Sequence, residues 1–210
     1  MTTDAHALTT SDAHAAAGHE SGGIGNPVLG MLLFITSEVM FFAGLFAAYF
    51  NIRANTTPWP PTNPETQAAF ELHILPIVLP ATILLVISSF TCQFAVWAIK
   101  KDDRRGFIRN IAVTVILGIV FLLMQAYDYL ELGHEGITLS SGVFGTTFFT
   151  LTGFHGAHVL GGVLMLSVVL YRGMAGQFSA RHHDMVEATS LYWHFVDVVW
   201  IMLFATLYLL

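Results

Sequence analysis

Five stretches of predominantly apolar residues, about 27–50, 74–99, 107–130, 143–171 and 186–210, restrict this chain more than any other feature. A helix rising 1.5 Å per residue needs about 20 such residues to cross the hydrocarbon core of a bilayer, and each stretch is that long. The runs are unbroken rather than alternating, unlike the strands of a membrane barrel. Inside lipid every backbone N–H and C=O must be satisfied within its own segment. The pattern therefore predicts an all-α polytopic membrane protein, a bundle of five transmembrane helices. Charge agrees: 10% of the residues are charged, where soluble domains carry about a quarter.

Residues 1–26 differ in kind. They are polar, contain no Lys or Arg, carry His6, His14 and His19, and end in SGGIGNP. They read as a disordered polar tail, without the basic and apolar regions of a secretory signal. Asn26 and Pro27 are expected as N-cap and first residue of the first helix. The connection over 51–73 contains TTPWPPTNP, an extended, proline-stiffened loop, and Pro80 is a candidate kink in the second span. The lone cysteine, Cys92, lies in an apolar run and reads as a small buried residue, with no disulfide framework. No basic patch points to nucleic acid.

Orientation follows from the basic residues. Lys100, Lys101, Arg104, Arg105, Arg109, Arg172 and Arg181 fall on the side of the N-terminus, and only Arg53 on the other. Basic residues stay in the cytoplasm, so the N-terminus is expected inside and the C-terminus outside.

The ionisable groups within the spans need a reason, because a charge at mid-membrane costs about 3 kcal/mol or more. Glu38 lies about 16 Å into the first span. His155 and His158 sit three apart in the fourth, and His194 and Asp197 three apart in the fifth, each pair about 60° apart on one helix face. Asp128 and Glu131 lie near the outer end of the third. Three readings compete. The groups are hydrogen-bonded struts between helices; or they are ligands of a metal or haem in the bundle, although the Glu-x-x-His pairs of di-metal bundles are missing; or a buried carboxylate handles protons or lipid headgroups. The last is most attractive for Glu38, which has no cation beside it in FITSEVMFFAGLF. In the fourth span, Ala157 and Gly161 form a small-xxx-small pair, a site for close helix approach. Phe41, Phe42, Phe46, Phe148 and Phe149 read as packing residues.

SEVMFFAGLFAAYF (37–50), PWPP (58–61), LMQAYDYLEL (123–132), GTTFFTLTGFHGAHVLGG (145–162), RHHDMVEA (181–188) and YWHFVDVVWIMLF (192–204) together resemble subunit III of the haem–copper cytochrome c oxidases, in its shorter, five-span form. The resemblance covers almost everything after residue 27. It implies an accessory subunit of the bacterial plasma membrane that binds no haem, copper or other metal itself and has no catalytic residue. Haem and copper sit in partner subunits. The chain would pack on the catalytic, oxygen-reducing and proton-pumping subunit I, stabilise it during turnover, support proton uptake and bind structural phospholipid.

By the same resemblance, Glu38 matches the family's intramembrane carboxylate. His155, His158, His194, Asp197 and Asp128 match its internal polar network. Arg172, His182 and His183 are placed to hold an anionic lipid headgroup. Asp128 stands where many relatives have glutamate, and the two leading helices of long forms are missing, which removes part of their lipid cleft. Quinol oxidases of the superfamily use a similar subunit and are the alternative. SEV and the Trp of YWHF lean to the cytochrome c branch. A stand-alone redox enzyme would need more histidines than the three at mid-membrane, and a transporter would want repeats or broken helices that the chain lacks.

Overall fold

The structure, a computed structural model, describes residues 25–57, 59, 77–134 and 136–209. The tail over 1–24, most of the proline-rich loop and the expected start of the second span at Ile74 lie outside the described residues. Five helices follow in order: α1 (Asn26–Asn55), α2 (Leu79–Lys100), α3 (Arg104–His134), α4 (Val143–Met174) and α5 (Asp184–Phe204), the last continued by a π turn over Ala205–Leu209. All five are long and apolar enough to cross a membrane. α1, α3 and α4 have 30 to 32 residues, about 45 Å at 1.5 Å each. They overshoot the apolar runs because helical hydrogen bonding continues into the headgroup layer, where polar side chains are tolerated.

The ends follow local chemistry, with one correction. Gly25, not Asn26, is the N-cap of α1, and helical geometry begins at Asn26 with Pro27 in the first turn. Pro27 lacks an N–H and so fits anywhere in that turn, which leaves the boundary to the residues before it. Pro80 likewise occupies the opening turn of α2, behind a π-helical step at residues 77 and 78, instead of kinking the helix interior. Between α2 and α3 the chain reverses within three residues. Asp102 adopts a left-handed φ of 55°, and Asp103 Oδ1 accepts from the Gly106 N–H at 3.0 Å, capping α3. Gly176, at φ 76°, lets the Gln177 N–H reach back to the Arg172 carbonyl at 3.1 Å and close α4.

α5 is the centre of the bundle. It packs on α1, α2 and α4, while α3 bridges α2 and α4. α5 accordingly buries side chains on most of its circumference, among them Tyr192, Trp193, Val196, Val199, Trp200 and Leu203. α1 stands outside this cluster with only Phe42 and Tyr49 buried. Its far end is anchored twice. The Tyr49 hydroxyl donates to the Thr206 carbonyl at 3.1 Å, within the π turn where regular pairing is interrupted. Trp59 packs edge-on against Tyr49 and Phe144, ring centroids 5.7 and 5.4 Å away, joining α1 to the start of α4.

Close helix approach comes from glycines other than the expected pair. Ala157 is exposed, and Gly161 meets only the Tyr192 hydroxyl. Tight contacts fall at Gly173, against Phe107, and at Gly118 on α3 and Gly162 on α4, which together seat the fully buried indole of Trp193. Spacing marks small residues as neighbours on a helix but does not say which face meets a partner.

Candidate functional site

The polar side chains of the membrane region gather into three seams and one charged end. The first seam joins α2 to α5. Trp193 and Trp200 are seven apart and share a face of α5. Each donates its indole N–H to α2, Trp193 to Ser88 Oγ and Trp200 to Thr82 Oγ1, both at 3.0 Å. His194 joins them: Nδ1 lies 2.6 Å from Ser89 Oγ and Nε2 3.3 Å from Gln93 Oε1. His194 and Asp197 share a face of α5 but do not bond each other. Asp197 is 5% exposed, and neither of its oxygens accepts a hydrogen bond among the described residues.

His194→Leu removes two interhelical contacts worth about 0.6 kcal/mol each. The expected result is an assembled protein whose melting temperature in detergent falls by about 2–4 °C. A fall several times larger would show that His194 holds more than this seam.

The second seam joins α1 to α4. Glu38 Oε2 lies 2.9 Å from His158 Nε2, both side chains less than a fifth exposed. His158 Nδ1 lies 2.7 Å from the Phe154 carbonyl. A carbonyl only accepts, so Nδ1 carries the hydrogen. The contact between Nε2 and Oε2 then needs one further proton, held by the acid or by the ring. The pair is either a neutral acid on a neutral imidazole or a carboxylate on an imidazolium. Phe41 stacks on the ring at 6.2 Å and Phe42 meets it edge-on at 4.9 Å. The Tyr192 hydroxyl donates to the His158 carbonyl at 3.1 Å, tying the seam to α5.

The third seam lies between α3 and α4. Gln125 Nε2 donates to the Thr152 carbonyl at 2.9 Å and to the Tyr129 hydroxyl at 3.2 Å, and Tyr129 donates to Thr152 Oγ1 at 2.7 Å. Asp128 lines the same small void as Gln125, Tyr129 and Tyr208. His155, three residues from His158, takes a different course. It is fully buried, stacks on Trp200 at 4.8 Å, and neither ring nitrogen has a hydrogen-bond partner among the described residues.

At the basic end Glu187 gathers Lys100 at 2.6 Å and His183 at 3.3 Å. Arg172 turns elsewhere, to Gln177 Oε1 at 2.7 Å and Met185 Sδ at 2.9 Å, with its guanidinium over the Phe178 ring. His182 is exposed. The three residues expected at a headgroup thus share an end of the bundle without converging on one point.

Sequence reasoning missed the α2 partners. Thr82, Ser89 and Gln93 recur at i, i+7 and i+11 in an otherwise apolar helix, and that helical period is the signal that marks a polar face. Among the described residues no group of three or more His, Cys, Asp or Glu side chains is arranged to hold a metal.

The family profile described as cytochrome c oxidase subunit III matches residues 10–210. The protein named cytochrome c oxidase subunit 3 in Corynebacterium diphtheriae is 44% identical over 86% of each chain, and that of Thermostichus vulcanus 42% identical over 87% of each. The zebrafish protein of the same name, from Danio rerio, is 41% identical, the match covering 85% of this chain and 67% of the fish protein.

Proposed function

Since the chain belongs to the cytochrome c oxidase subunit III family, we propose that it serves as the non-redox accessory subunit of a proton-pumping oxidase, packed on the catalytic subunit I and holding it intact through turnover. The observation that carries the reading is how the polar groups are spent. Both nitrogens of His158 and of His194 are engaged by protein atoms, so these rings act as struts between helices. Haem and copper belong to partner subunits in this reading.

The basic end faces the cytoplasm, with the N-terminus on that side, in a bacterial plasma membrane. Exposed Lys101, Arg105, Arg109 and His182 offer its surface to anionic lipid headgroups, and Arg172 and His183 form the inner edge of that surface. The names of the relatives favour the cytochrome c branch over a quinol oxidase.

In this reading α1 meets subunit I or lipid, and the small part of it buried by its own bundle supports that. Glu38, at the centre of α1 and sharing a proton with His158, is the group through which this chain supports proton uptake.

Purification in mild detergent through a tag on this chain tests the reading. Haem bands are expected to travel with a large multi-span partner and to leave with it when it is stripped away. The stripped catalytic core is expected to reduce oxygen at first and then to inactivate within far fewer turnovers than the complex. Haem retained by the isolated chain would overturn the accessory role.

A further inference from the structure

A cleft of about 190 Å³ opens between α2 and α5 at the basic end. Lys100 and Glu187 stand at its mouth, Gln93 and Ser190 on its walls, and His194 at its inner limit. Val96 and Leu191 complete its lining, so polar groups are set among apolar ones in a membrane-spanning surface. Flanking residues on the same helices, Phe94 and Val198, are exposed and apolar and suit lipid. Hydrocarbon filling the recess would face the Gln93 amide and the Ser190 hydroxyl, a costly arrangement. Its volume exceeds the roughly 30 Å³ share of a liquid water several times.

The recess also points at something. His194 Nδ1 bonds Ser89 Oγ at 2.6 Å, and one turn further along α5 lie the buried oxygens of Asp197, which take no hydrogen bond among the described residues. Cys92 donates to Ser190 Oγ at 3.5 Å on the wall of the cleft.

We propose that this cleft is an aqueous entry from the basic end, in which Gln93 and Ser190 hold water that continues past His194 and Ser89 to Asp197. The water gives the Asp197 carboxyl the hydrogen-bond partners it otherwise lacks and places a protonatable group in contact with bulk solvent from one side only. Water entry depends on the walls of this chain, so the inference stands apart from the accessory-subunit reading, and either can fail alone.

Cysteine reactivity in the intact complex tests it. Gln93→Cys, Ser190→Cys and Ser89→Cys are each exposed in membrane vesicles to 2-aminoethyl methanethiosulfonate. The thiolate attacks the sulfenyl sulfur, forms a mixed disulfide and releases methanesulfinate, and thiolates form only where water reaches. The gain in mass of this chain is the readout. The unaltered protein, whose single cysteine is Cys92, gives the baseline, and Lys100→Cys, Phe94→Cys and Val198→Cys give the limits.

The three cleft cysteines are expected to react within about 10-fold of Lys100→Cys, and the two lipid-facing ones at least about 100-fold more slowly. Cleft cysteines as inert as Phe94→Cys would overturn the proposal and mean that lipid or a partner helix fills the recess. A reactive Gln93→Cys beside an inert Ser89→Cys would overturn the reach to Asp197. Ser190→Cys and Ser89→Cys change one atom each, so a failure of Gln93→Cys to assemble leaves the test in place.

Discussion

Gly162→Leu is expected to prevent the bundle from assembling, and Gly162→Ala to lower its melting temperature by about 5 °C. The reason is the seat of Trp193. A β-carbon on Gly162 would stand 2.7 Å from Cε3 and 2.8 Å from Cζ3 of that indole. The ring has no room to retreat, because Gly118 forms the opposite wall, where a β-carbon would meet Cη2 at 2.8 Å, and its N–H is fixed to Ser88. Overpacking of this kind costs about 1–3 kcal/mol per methyl, and about 2–4 °C of melting temperature per kcal/mol in a chain of this size. Leucine adds three more carbons to the same collision. Gly30→Ala and Gly44→Ala are the controls, since nothing lies within 4 Å of either position and both are expected to be neutral. Size-exclusion profiles and thermal melts of the four variants decide the matter. A Gly162→Ala protein as stable as Gly44→Ala would show that Trp193 is not held as tightly as the geometry requires.

His158→Leu comes second in size. It leaves Glu38 at mid-membrane with no partner for its acid proton, and breaking a buried pair from one side costs about 3 kcal/mol or more. Glu38→Gln costs much less, because the amide can still donate to Nε2. The double variant, Glu38→Leu with His158→Leu, is expected to recover most of the loss, since an apolar contact replaces the pair and no polar group is stranded. Thermal melts of the unaltered protein, Glu38→Leu, His158→Leu and the double variant give the coupling directly, and additive losses would mean that the 2.9 Å contact carries no energy. In the assembled oxidase, Glu38→Ala is expected to keep the subunits together while shortening turnover lifetime or slowing proton uptake. Unchanged lifetime and pumping would leave Glu38 as a packing residue.

The five helices were legible because the solvent is hydrocarbon: a run of about 20 apolar residues has one way to satisfy its backbone there. The buried ionisable groups were legible for the same reason, since each is conspicuous against an apolar background. Their partners were not. Glu38 and His158 are 120 positions apart, and no local pattern joins them. His155 and His158 are near in sequence and share a helix, yet one stacks blindly on Trp200 and the other reaches α1, because 60° of rotation is enough to change neighbours. His194 and Asp197 present the same lesson, with serine and glutamine of α2 closer to the imidazole than its own helix-mate. The resemblance to a family named residues worth watching; the bond each one makes became readable only once the helices were placed around α5.

The proton shared by Glu38 and His158 has an electrical consequence. A lone charge near the middle of an energised membrane feels about half of the potential, roughly 1 kcal/mol per 100 mV. A carboxyl and an imidazole that hold one proton between them sum to no charge, whichever of them has it. Moving that proton shifts charge by a fraction of an ångström's worth of field, so the seam between α1 and α4 is indifferent to the voltage across it. The joint between these two helices therefore stays the same whether the membrane is charged or flat.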